Sequence, residues 1–181
     1  MKNIIITGIP RSGKTTLSKL IKEKYPEYNI ISFEAIRNGF IKSQPGLKMG
    51  NRNSEARKEI LPDFIMEFVH WNNIISKYPC VIEGDFADLK TINDLSNEDD
   101  LIICLGLGCK TIDEIVNLIK ENDTKDDYTY DWAEDKLKEH FYDIEDKDKE
   151  NYNYCKEKNI KYYDTSKNRK KLLEDVTNNM V

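Results

Sequence analysis

Arginine is scarce in this chain of 181 residues. Of 28 basic residues only five are arginine, at positions 11, 37, 52, 57 and 169. None lies between Glu121 and Glu150, where 13 acidic residues meet five lysines. That block carries −8 of a total −5, so the rest of the chain is about +3. With a pI near 5.2, this balance argues against broad nucleic-acid binding. No apolar run is long enough to span a bilayer. The first one holds three or four residues, too short for a signal peptide, and reads as a strand. Metal-type spacing is also missing. Cys80, Cys104, Cys109 and Cys155 form no such pattern, and neither His70 nor His140 has a Cys or His at ligand distance. Both histidines read as structural or solvated. Three cysteines lie in or beside apolar runs, which fits reduced thiols in or near the core of a cytoplasmic protein. Neither a repeat nor a linker interrupts the chain, so one domain over 1–181 is expected.

What is present is an alternation of short Ile- and Val-rich stretches with longer helical patterns. Asn3–Thr7, Asn29–Phe33, Cys80–Glu83, Leu101–Leu105 and Ile160–Tyr163 read as strands buried on both faces, as in a parallel sheet. Leu17, Leu20 and Ile21 mark a helix closed by Pro26. Ile60, Phe64, Phe68, Trp71 and Ile75 recur at helical steps over 54–77, with Pro62 starting or kinking a helix. Trp71 and these Phe residues are assigned to the core. Thr111 and Glu114 form a capping box ahead of Ile115, Val116 and Ile119. A long polar helix is expected over 131–158, broken near Asp146, and a last one from about Asn168. Strands alternating with helices predict a doubly wound α/β fold.

Between the first strand and the first helix stands Gly8-Ile9-Pro10-Arg11-Ser12-Gly13-Lys14-Thr15, followed by Thr16. This satisfies G-x-x-x-x-G-K-[ST] in the required strand–loop–helix context. The glycines let the backbone curl so that its N–H groups converge on phosphate oxygens. The helix N-terminus adds its dipole, Lys14 reaches the β- and γ-phosphates, and the Thr15 hydroxyl suits Mg²⁺. ATP and Mg²⁺ are the implied ligands.

With "ISFEAIRNG" ending the second strand and "VIEGDF" the third, the sequence resembles the small P-loop kinases, a superfamily that includes adenylate, shikimate and deoxynucleoside kinases. The resemblance implies a three-layer fold with a five-stranded parallel sheet in the order 2-3-1-4-5 and a helical lid. It implies an acceptor-binding helical insertion at about 35–78 and a lid or arm at about 121–150. It places Glu83, or alternatively Asp85, near Mg²⁺. Glu34 and Arg37 would then meet a small-molecule acceptor: Glu34 as base for a hydroxyl or as a binding group, Arg37 as a grip on an anion. Ser43 to Asn53 would serve the acceptor region, with Arg52 and Arg57 flanking the next helix. The loop after the last strand would pack on adenine through Lys167, Asn168 and Arg169.

The lid departs from the family pattern. Members like adenylate kinase bring lid arginines to the transferring phosphoryl group, and this lid has none. An acidic arm repels ATP unless Lys120 or Lys125 turns inward or Arg11 supplies the charge. Asp126, Asp127, Tyr128 and Trp132 are alternative contacts for a cationic substrate, and a solvated helical arm is the plainer reading. Two rival functions accompany the kinase: an ATPase or nucleotide-binding switch without an acceptor, and a polynucleotide end kinase.

Overall fold

The computed structural model describes residues 1–50, 54–85, 88–125 and 127–180. Arg52 and Asp126, both named above, lie outside the described residues. Five strands, β1 (Asn3–Gly8), β2 (Asn29–Ser32), β3 (Cys80–Glu83), β4 (Asp100–Gly106) and β5 (Lys161–Asp164), form one parallel sheet. Their order is β2-β3-β1-β4-β5, as the resemblance implies. The run Ile4-Ile5-Ile6 does not alternate with polar residues because β1 is central and buried on both faces. Ile5 packs on one side with Phe33, Leu61, Ile65, Val69 and Ile92. Ile4 and Ile6 pack on the other with Leu17, Ile21, Leu173 and Val176.

Eight α-helices are present among the described residues. They are α1 (Lys14–Lys24), α2 (Phe33–Ser43), α3 (Leu61–Ser76), α4 (Leu89–Leu95), α5 (Ile112–Asn122), α6 (Glu134–His140), α7 (Ile144–Lys158) and α8 (Arg169–Asn178). Helix α1 ends at Lys24, ahead of Pro26. The capping box of α5 forms in full, with Thr111 and Glu114 each bonding the other's backbone N–H. A π-turn over Ala56–Ile60 leads into α3, and Pro62 lies in the first turn of that helix, where its missing N–H costs nothing. All four cysteines are free thiols, three of them buried.

Two expectations are corrected. The stripe of Ile60, Phe64, Phe68, Trp71 and Ile75 faces solvent rather than the core. Helix α3 has two apolar faces, and the one that docks on the sheet carries Leu61, Ile65, Met66 and Val69. Periodicity alone does not say which of two apolar stripes is covered. The second correction concerns the acidic block, whose side chains are mostly exposed as expected but which is docked on its apolar side and is not one helix broken near Asp146. The chain turns at Phe141–Asp143, between α6 and α7. Leu137, Phe141 and Ile144 are buried against Ile9, Leu107, Ile115, Val116 and Ile119. This hydrophobic seam binds α6 to α5 and to the phosphate loop itself. Helix α7 then returns to the sheet, where Cys155 packs on Cys104.

Candidate active site

The loop from Gly8 to Thr15 wraps the N-terminus of α1. Gly8 adopts φ 125°, and a Cβ there would collide with the carbonyl oxygen of Leu105, so the loop passes directly against β4. Gly13 adopts φ 96° as the N-cap of α1. Between them Arg11 holds φ 64°, a left-handed conformation costing a non-glycine residue about 1–2 kcal/mol. Ser12 Oγ donates to the Ile9 carbonyl at 2.8 Å and stiffens the turn. Lys14 Nζ donates to the carbonyls of Ile9 (2.7 Å) and Gly8 (3.3 Å). Its pKa is lowered by burial, against the opposing pull of Asp85, Glu34 and Glu83.

Parallel pairing of β1 with β3 sets Ile6 beside Glu83, and pairing of β2 with β3 sets Ser32 beside Glu83. The three strands therefore end together around the loop. Thr15 Oγ1 donates to Glu83 Oε2 at 3.2 Å. Glu83 is buried, and burial, followed by repulsion from Glu34, raises its pKa above the usual 4.5. An exposed hydroxyl and a buried carboxylate held this close at the rim of the loop are hard oxygen donors that fit Mg²⁺, an ion that takes one or two carboxylates and keeps waters or phosphate oxygens. Among the described residues there is no cluster of three or more His, Cys, Asp or Glu side chains able to hold a metal alone.

Helix α2 starts at the same strand ends. Ser32 caps it by accepting from Ala35 N–H. Glu34 lies in its first turn, and its Oε1 accepts from Asp85 N–H at 3.0 Å. Gly84 makes this approach possible, because a Cβ there would collide with Phe33. Asp85 faces Arg57, whose Nη2 is 3.7 Å away and whose side chain is buried. Arg37 follows Glu34 by one turn. Its Nε is buried without a hydrogen-bond partner, and no ion pair engages its guanidinium among the described residues. Glu34, Arg37, Glu83, Asp85 and Ser32 line a cleft of about 640 Å³ that also touches Pro10, Arg11, Lys14 and Thr15. Tyr128 and His140 close its far side from the acidic segment. Their rings meet at 6.0 Å, and His140 also packs edge-on to Trp132 and Phe141.

A second cleft, of about 500 Å³, opens on the other side of the loop. Arg11, Gly13, Lys14, Thr15, Thr16 and Arg169 line it, joined by Lys19, Asn122, Thr124 and Asp127. Arg169 begins α8 and lies over Gly13. Burial, and then the proximity of Arg11, lowers its pKa. Asn168 is the N-cap of α8 with φ 48°, and its side chain makes no capping bond. Arg11 is ion-paired with Asp123 and, at 2.6 Å, with Asp127. Burial works against the Arg11 charge, but the two carboxylates outweigh it and raise its pKa, while the guanidinium holds Asp127 well below the usual carboxylate range. The carboxylates of the arm thus clasp the one arginine of the phosphate loop. Lys120 and Lys125 are exposed and line neither cleft.

His140, Ser32, Lys19, Asn122 and Thr124 are the lining residues that sequence reasoning missed. Lys19 had a usable signal, since it follows Thr15 by four residues and so shares its helix face. Ser32 carried a helix-capping signal. His140 carried none, because its place depends on how the arm folds back. His70, by contrast, lies away from both clefts and bonds Asp100 at 2.9 Å, tying α3 to β4.

No family model and no curated protein matches the sequence. Solved structures do. Shikimate kinase from Bacteroides thetaiotaomicron superposes with a TM-score of 0.52 at 13% identity, over 98% of this chain and 94% of that one. A gluconokinase from Sinorhizobium meliloti 1021 gives a TM-score of 0.51 at 14% identity, over 79% and 74%. The chain therefore has the fold of the small P-loop kinases.

Proposed function

We propose that this chain is an ATP-dependent kinase whose acceptor is a small molecule carrying an anionic group. The observation that carries the reading is the pair of clefts that share Arg11, Lys14 and Thr15. A two-substrate transfer needs such a junction, with donor and acceptor entering from opposite sides. ATP occupies the cleft toward Arg169, its phosphates in the loop and its adenine toward Asn168 and Arg169. Thr15 and Glu83, with Asp85 as the alternative carboxylate, would hold Mg²⁺, which would supply positive charge beside the transferring phosphates. Lys14 leaves its loop carbonyls for the same oxygens.

The buried Arg37 Nε, which has no hydrogen-bond partner among the described residues, supports an anionic acceptor, since a guanidinium offers a planar fork to a phosphate or carboxylate. Glu34, one turn earlier, is placed to take the proton of an acceptor hydroxyl. The oxygen–phosphorus bond forms to that hydroxyl, the bond to the β-phosphate oxygen breaks, and ADP departs. The shikimate kinase and gluconokinase likenesses agree with an acceptor that combines hydroxyls with a carboxylate. A nucleotide-type phosphate acceptor uses the same Arg37 and needs no base.

The test is an ATP-consumption screen across hydroxy acids, sugar phosphates, nucleosides, nucleotides and oligonucleotides. An acceptor-stimulated rate lost in Lys14→Ala is the expected result. Steady hydrolysis that no acceptor stimulates sinks the kinase reading in favour of an ATPase, and stimulation by oligonucleotides alone favours an end kinase. Glu34→Gln then separates the two acceptor types. A hydroxyl acceptor loses about 10²–10⁴-fold in kcat, whereas a phosphate acceptor changes mainly KM.

A further inference from the structure

We infer that the outer face of α3 is a homodimer interface, formed by two copies packing across a two-fold axis. Ile60, Phe64, Phe68, Trp71, Ile74 and Ile75 are each between 43% and 76% exposed. At 100° per residue they fall within a single arc of about 120°, so they form one stripe, in which Glu67 is the one charged side chain. Phe64 and Phe68 stack at 6.4 Å within it. The opposite face of the same helix is the buried one, with Leu61, Ile65, Met66 and Val69 against the sheet. A helix apolar on both faces is expected to be covered on both.

Area and charge select a second copy as the occupant. At roughly 150–250 Å² per large side chain, these exposures amount to roughly 500–800 Å². That is at or above the upper part of the range for the largest apolar patch of an ordinary monomer, about 300–600 Å². Doubled across a two-fold it reaches the ~1,000 Å² that a specific interface needs. The stripe is flat enough along one helix to meet its own copy, as an isologous contact requires. Asp63 borders its N-terminal half and Glu67 sits within it, while Lys77 closes the C-terminal end. An antiparallel crossing of two α3 helices therefore brings unlike charges together, and a parallel one opposes like charges. The face also reaches the acceptor side, because Phe40 of α2 meets Phe64 edge-on at 5.0 Å.

Sedimentation of the purified chain at micromolar concentration tests this. The expected mass is twice the 21.2 kDa of one chain. Trp71→Glu and Ile75→Lys replace exposed side chains, so both are expected to keep the circular dichroism of the parent while sedimenting as single chains. Emission from Trp71 should shift to the red when the parent is diluted to its monomer. A parent that stays at single-chain mass across the accessible concentrations overturns the inference. So does a dimer that persists in both variants, or open-ended assembly in place of a closed pair.

Discussion

Glu83 is held in a contradictory setting. Burial and the nearby Glu34 raise its pKa, yet the Mg²⁺ role proposed for it requires the ionised form. In the sign of linkage, a raised carboxyl pKa favours the protonated form in the fold. Its stabilising contribution is present below the unfolded value near 4.5 and is lost as pH rises through the folded value. Glu83→Gln is therefore expected to melt higher than the parent at neutral pH, with the difference fading near pH 4.5. The same variant should need about 10–100-fold more Mg²⁺ for half-maximal activity. Arg37 gives a second test at this scale. Lysine keeps the charge but not the fork, so Arg37→Lys should raise the acceptor KM about tenfold or more and leave ATP affinity unchanged. Equal losses for both substrates would argue against its place in the acceptor cleft.

Two contacts between elements hold the loops around the site. Asp148 of α7 is fully buried and accepts from Leu107 N–H and Cys109 N–H at 2.9 Å and from Tyr162 Oη at 2.8 Å. It fixes the turn after β4 and ties α7 to β5. Asp148→Ala strands the buried Leu107 N–H and removes three bonds, with an expected loss of about 2–4 kcal/mol in urea unfolding. The other contact is the clasp of Asp123 and Asp127 on Arg11. The paired change Asp123→Asn with Asp127→Asn should speed amide exchange across 123–143 about tenfold or more, while β1 and β4 stay protected. Unchanged exchange would mean that the apolar seam of Leu137, Phe141 and Ile144 holds the arm alone. This clasp gives the missing lid arginines a physical context. The arginine lies in the loop, and the arm supplies its counter-ions.

For the molecule as a whole, the sequence was most legible where the physics is local. Ile4-Ile5-Ile6, the phosphate-loop glycines and the Thr111–Glu114 box each specify their own conformation, and the strand positions followed from them. The meeting of Thr15 with Glu83 could be anticipated only through family likeness, since it depends on β3 lying beside β1. Three features lay beyond reach. Helix α3 has two apolar stripes of similar strength, and only docking chooses between them. The turn at Phe141–Asp143 comes from burying Leu137 and Phe141 against α5 and the phosphate loop, while α7 returns to the sheet. His140 reaches the cleft only because that turn exists.

The burial of Lys14 has a practical consequence. Of the 23 lysines in the chain it alone is buried, and its ammonium is bonded to two carbonyls. An acylating reagent should mark the other amines first and this one last. The lag before Lys14 is modified, read by mass spectrometry, thus reports how firmly the Gly8 and Ile9 carbonyls hold its ammonium.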